Sequence, residues 1–295
     1  MSLLHDYREL RAAPVLRAYV ECYWEAQSSG APGFNPVEPL IPDLRVELIF
    51  NAGEAYSWSG AANEEPVAAP SFACIGMRGR SLSIRQPGRL KHFAIRFRPA
   101  GLSAFARLRL GLLTQRCVDA HELWSGAARE FADRLGHASS TLERVRAADA
   151  FLSSRLSAQA EHSALARSAA SVLAARGGQI EIADVAAWHG VSYKQLERVF
   201  ERDVGLSPKH FSRVARLQRA LASAVRDQEP RLASVAAEAG YADQAHLTRD
   251  FRALIGRSPR AFFRERFAVF ETLKASGSLA LKQVENVQDG RRARG

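Results

Sequence analysis

The chain has 295 residues, and its 41 Lys plus Arg against 31 Asp plus Glu give a formal net charge of +10. With 47% hydrophobic and 24% charged residues it is not a wholly disordered chain, and it has material for one or two cores. No apolar run approaches the roughly 18 residues that span a bilayer, no signal-peptide stretch opens the sequence, and three cysteines (Cys22, Cys74, Cys117) without a C-x-x-C pair argue against a disulfide framework or a structural zinc site.

The chain opens on a helix-like segment, followed by a Ser-, Gly- and Pro-rich loop, SSGAPGFNPVEP (28–39). VELIF (46–50), SLSIR (81–85) and HFAIRFRP (92–99) are short, β-branched or aromatic, and bounded by turn residues, so they predict strands. SGAANEEPVAAP (59–70) interrupts them as a second loop. From about Pro99 the composition shifts to Ala, Leu and Arg, and apolar residues recur at helical spacing through 120–175. The expected fold class is α+β with two domains. A β-rich sensor or regulatory domain spans 1–138, a helical connector 139–162, and an all-α domain with two helix-turn-helix units joined by a linker helix 163–270. The tail, 271–295, loses periodicity and is expected to be disordered. The basic excess is densest toward the C-terminal half, which points to a polyanionic partner.

The strongest signal is an internal repeat. ADVAAWHGVSYKQLERVFERDVGLSPKHF (183–211) aligns with ASVAAEAGYADQAHLTRDFRALIGRSPRAF (233–262) after one insertion near position 193. Identical pairs include Ala186/Ala236, Gly190/Gly240, Leu196/Leu247, Phe200/Phe251, Gly205/Gly256, Ser207/Ser258 and Pro208/Pro259. One supersecondary unit is therefore used twice. In each copy a short helix ends at a glycine that takes a left-handed turn cheaply. Ser192 or Asp243 caps the next helix. Leu196 with Phe200, and Leu247 with Phe251, share an inward face. A Ser-Pro step then starts a third helix. The pattern is helix-turn-helix. The helix from Pro208 to about Val225 is about 27 Å long at 1.5 Å per residue. A rigid spacer of that size suits two recognition helices in adjacent major-groove segments about 34 Å apart.

The segments G-V-S-Y-K-Q-L-E-R-V-F…G-L-S-P-K-H-F and G-Y-A-D-Q-A-H-L-T-R-D-F…G-R-S-P-R-A-F resemble the DNA-binding domain of AraC/XylS-type bacterial transcription regulators over roughly 163–267. YVECYW (19–24), PLIPDLRVELIF (39–50) and FAIRFRPAG (93–101) resemble a poorly characterised sensor-like domain found in front of it. The second piece departs from that pattern, which has a glycine and a cysteine where Leu44 and Arg45 stand.

The resemblance places base contacts at Lys194, Glu197 and Arg198. Tyr193 remains on the same outward side. Arg bonds guanine bidentately and Glu accepts from cytosine N4. On the second recognition helix Gln244, His246, Thr248 and Arg249 are the outward candidates. Gln reads adenine, while His246 either meets phosphate or packs on a neighbouring helix. Lys209, His210, Arg213, Arg216 and Arg260, after the Ser-Pro steps, suit phosphate oxygens. The basic run Arg78, Arg80, Arg85, Arg89, Lys91, Arg96, Arg98 reads best as a solvated strand face with structural ion pairs to acids such as Asp43 and Glu47. The expected function is a sequence-specific transcription regulator, activator or repressor, in the bacterial cytoplasm at the nucleoid. No enzymatic activity, cofactor, metal or membrane partner is expected. Double-stranded DNA is the partner, and RNA polymerase, a small-molecule effector and a homodimer mate are compatible additions. The alternatives are an architectural DNA-binding protein or a cysteine-based DNA-repair protein with Cys74 or Cys117 as methyl acceptor.

Overall fold

The computed structural model describes residues 6–28, 37–60, 64–86, 88–156, 161, 163–224 and 230–264. The expectations for the tail after Phe270, for most of the first loop (29–36), and for Val225 as the linker-helix end lie outside the described residues.

The amino-terminal part holds two antiparallel sheets. The larger has the order β1 (Asp6–Leu10), β2 (Val20–Ser28), β9 (Leu90–Phe97), β4 (Val46–Asn51), β7 (Phe72–Ile75), β10 (Cys117–Asp119). The smaller has the order β3 (Val37–Leu40), β8 (Leu82–Arg85), β5 (Ser57–Ser59), β6 (Val67–Ala68). The three predicted strands are β4, β8 and β9. The opening segment is not helical: it forms β1 and β2, joined through a 3-10 turn at Pro14–Leu16. The reason is tertiary. β2 lies between β1 and β9 and is buried on both faces, so its apolar run lacks the period-two cue of a half-exposed strand.

Alternate residues of β2 serve two cores. Cys22, Trp24 and Ala26 face Ile49, Ile75, Leu82 and Ala94 between the sheets. Tyr23 faces the helices with Phe93 and Ile95. These helices are α1 (His121–Trp124), α2 (Gly126–His137) and α3 (Thr141–Ser153). Phe131 of α2 stacks on Phe151 of α3 at 4.1 Å, and Phe72 meets Phe131 edge-on. Arg144 and Thr141 of α3 bond the buried Glu25 of β2, and Tyr23 donates to Asp149 at 2.7 Å. The segment read as a connector thus holds a helix bonded to the sheet along its length; its residues 157–160 and 162 lie outside the described residues.

The carboxyl-terminal part is helical. It contains α4 (Ala164–Ala175), α5 (Ile182–Trp188), α6 (Tyr193–Asp203), α7 (Pro208–Ala224), α8 (Leu232–Ala239) and α9 (Gln244–Ile255). Leu173, Val185, Leu196, Phe200, Phe211, Leu217, Val235, Leu247 and Phe251 fill its interior, and this core is continuous with that of the amino-terminal helices. No helix among the described residues is long and apolar enough to cross a membrane.

Candidate nucleic-acid interface

Local chemistry builds the two units as the repeat implies. The Ser192 side chain accepts from the Gln195 amide at 3.2 Å, and Asp243 from the His246 amide at 2.6 Å. Ser207 and Ser258 cap the helices that follow, accepting from the His210 and Ala261 amides. Gly240 has φ +78, a left-handed conformation that favours glycine at this turn. The half-buried His189 donates one ring nitrogen to the Val185 carbonyl and meets Ser168 with the other, which locks α5 on α4.

The recognition helices α6 and α9 turn Leu196, Phe200, Leu247 and Phe251 fully inward. On α6, Tyr193, Lys194 and Arg198 are exposed and Glu197 is half-buried. Neither Lys194 nor Arg198 meets an acid within ion-pair distance among the described residues, so both cations are available to a polyanion. On α9, Gln244 and Arg249 are exposed, while His246 and Thr248 are half-buried. The His246 ring packs edge-on against Tyr241 at 5.1 Å, and Thr248 donates back to the Gln244 carbonyl at 2.8 Å.

The residues after the Ser-Pro steps divide. Lys209 and Arg260 are exposed. Arg213 instead donates from Nε and Nη2 to the buried Asp250 of α9. Arg216 donates to the Gly178 carbonyl at 2.8 Å and lies over the Tyr241 ring. His210 donates to the carbonyl oxygen of Gly79 in the amino-terminal domain at 2.9 Å. Sequence reasoning had no means of seeing Asp250, which pairs with Arg213 across 37 residues. The linker helix α7 has 17 residues, about 25 Å at 1.5 Å per residue. It carries α8 through Arg219, which donates to the Glu238 carbonyl, and Ser223, which donates to the Glu238 carboxylate.

The basic run of the first domain divides, as expected, between exposed cations and arginines paired with Asp43 and Glu47. Arg78 is fully buried and pairs with Asp43. Arg96 donates to Glu47 at 2.9 Å and to Glu9 at 3.0 Å. Burial alone would raise the Glu47 carboxyl, but Arg96 and Arg78 outweigh it and hold it below the usual carboxylate range. Arg80 and Arg89, by contrast, are exposed or nearly so. Leu44 holds φ +61, a left-handed conformation in which glycine is unstrained and a leucine is not.

Burial disfavours the thiolate form of Cys74 and Cys117. Cys74 is fully buried, and burial pushes its thiol up; burial also pushes Cys117 up to about 12. A nucleophilic cysteine needs the opposite shift.

Residues 185–265, from α5 through both units, match a family described as helix-turn-helix domain. The carboxyl-terminal domain is a helix-turn-helix domain. Residues 8–119 match a domain of unknown function, DUF6597. No curated protein matches the chain in sequence. Among solved structures the chain is similar to ToxT from Vibrio cholerae, at 10% identity and TM-score 0.40, covering 78% of this chain and 97% of that one. A structure of an apo ToxT variant gives 8% identity and TM-score 0.44, with 87% and 98% covered. A structure of ToxT with unsaturated fatty acid bound gives 8% identity and TM-score 0.42, with 78% and 94% covered. A β-rich part, matched by the domain of unknown function, thus precedes a helical part that matches a helix-turn-helix domain.

Proposed function

We propose that the chain regulates transcription by reading two adjacent major-groove segments of one operator, α6 in the first and α9 in the second. The observation that carries this reading is the duplicated unit, with exposed Lys194 and Arg198 on one recognition helix and exposed Gln244 and Arg249 on the other. Arg198 and Arg249 read guanine, Gln244 reads adenine, and Lys194, Tyr193 and Glu197 set register. Lys209 and Arg260 hold phosphates. His246 and Thr248 shape the groove-facing surface of α9, and Arg213 holds α9 in place through Asp250.

The first domain senses a small-molecule effector in this proposal. Two buried polar atoms near one another, Tyr56 Oη and His92 Nε2, have no hydrogen-bond partner among the described residues; their rings lie 5.4 Å apart. An effector with matching polar groups would satisfy them. RNA polymerase and a second copy of the chain are the further partners, and the protein acts in the cytoplasm at the nucleoid.

Selection from a pool of random duplexes at moderate salt tests the reading. Enrichment of a site with two half-sites about one helical turn apart supports it. Recovery of unselected sequences, with affinity that tracks salt alone, would identify a non-specific DNA-binding protein instead.

A further inference from the structure

The carbonyl ends of both recognition helices are bonded to the first domain. Thr114 Oγ1 donates to the carbonyl of Gly205, the left-handed residue that ends α6, at 2.5 Å. The Ser81 amide donates to the carbonyl of Leu254, in the last turn of α9, at 2.8 Å. That carbonyl has no partner within its own helix, so the first domain caps α9 from outside. The two donors stand on loops that are themselves joined. The Gly76 amide donates to Arg116, the Gln115 amide to Met77, and the Arg80 amide to the Gln115 side chain, at 2.8–3.0 Å. Gln115 holds φ +60 to make these bonds.

Apolar contacts close the same joint. Leu110 and Leu113, in a 3-10 turn (Leu110–Leu113), pack on α6. Met77, Val204 and Leu206 are buried in the shared core. Contact is tight at Gly79, where an added Cβ would lie 3.0 Å from the His210 ring and 3.2 Å from Leu206. At Gly205 an added Cβ would lie 2.7 Å from Thr114 Oγ1.

We infer that the bracket formed by residues 76–81 and 110–116 sets the distance and angle between α6 and α9, so that Thr114 and Ser81 are positioning residues that determine which half-site spacing the protein accepts. The inference rests on the two-half-site reading proposed above. The linker helix starts three residues after Gly205 and leads into the second unit; the bracket holds that start, through Gly205, and the far end of α9, through Leu254, against a common body. The first domain then contributes to sequence specificity without touching a base.

The test uses the full chain, with duplexes enriched from a random pool by the wild-type protein and rebuilt with one or two base pairs added between the half-sites. Each added pair turns one half-site by about 34–36° and moves it about 3.4 Å. The wild-type protein should lose at least about tenfold in affinity per altered spacing, on the scale of a mismatched base pair. Thr114→Val, which keeps shape and removes the donor, and Gly79→Val, which wedges His210 and Leu206 away, should narrow that penalty to a few-fold at most while tolerating the original spacing. Equal spacing profiles in wild type and both variants would overturn the inference and leave the two-half-site reading standing. Failure to enrich any duplex would overturn both. Hydrogen exchange on the free wild-type protein gives a check without any variant: the Ser81 amide should exchange slowly, and exchange at the rate of an open loop would count against the bracket.

Discussion

Arg213 donates two hydrogen bonds to Oδ1 of Asp250, at 3.1 and 2.8 Å, and so ties the linker helix α7 to the recognition helix α9 across 37 residues. Asp250 is 6% exposed, and its Oδ2 has no other partner among the described residues. Arg213→Ala therefore leaves a buried carboxylate without its cation, at a cost of about 1–3 kcal/mol. Denaturant unfolding should register that loss, and adding Asp250→Asn should recover part of it. In DNA binding the loss should fall mainly on the half-site read by α9. A variant as stable as the wild type, weakened equally on all sequences, would return Arg213 to the phosphates.

Arg198 separates charge from geometry. Arg198→Lys keeps one positive charge on α6 but loses the planar fork that meets two acceptors on guanine. The slope of affinity against salt should stay the same, while discrimination at one base pair falls by about 1–3 kcal/mol. Anisotropy titrations on a site and its single-base variants measure both quantities. A reduced salt slope with unchanged discrimination would make Arg198 a backbone contact.

His92 gives the first domain a pH dependence. Burial pushes its imidazole down to about 4 from an ordinary 6.5, against a smaller opposing pull from Glu47. The folded state thus holds His92 neutral where the unfolded state would bind a proton. Its contribution is complete above pH 6.5 and is lost as pH falls from there toward 4, by up to about 3 kcal/mol for a shift of this size. His92→Phe should flatten that part of the stability profile. An unchanged profile between pH 6.5 and 4 would mean that His92 is already accessible to protons.

Glu47 holds the inter-sheet core together electrically. It accepts from Trp24 Nε1 at 3.0 Å and Arg96 Nε at 2.9 Å, and Arg78 lies 3.9 Å from its other oxygen. Glu47→Ala leaves buried guanidinium groups short of an anion, a change worth about 3–5 kcal/mol when one partner of a buried pair is removed. Thermal unfolding should show a large drop. Glu47→Gln should behave nearly as badly, since it keeps the acceptor but not the charge. A mild effect of both would mean that water reaches Arg96.

What the sequence made legible was local. The Ser192 and Asp243 caps, the left-handed glycines that end the helices, and the inward Leu196, Phe200, Leu247 and Phe251 all follow from residue types at fixed short spacing. The pairing of the basic run with Asp43 and Glu47 was also readable, because buried arginines need acids and these were the nearest candidates. The rest was set by contacts distant in sequence. β2 lost its alternation because it is covered on both sides. Arg213 and His210 looked like surface cations until Asp250 and Gly79 met them. Nothing near Thr114 or Ser81 marks them as donors to helix ends 91 or more residues away.

Hydroxyl-radical footprinting on one selected operator, with wild type, Arg198→Ala and Arg249→Ala, tests the central claim most directly. The account predicts two protected patches on one face of the duplex, about one helical turn apart. It further predicts that Arg198→Ala weakens one patch and Arg249→Ala the other. A single patch, or the same patch weakened by both variants, would contradict it.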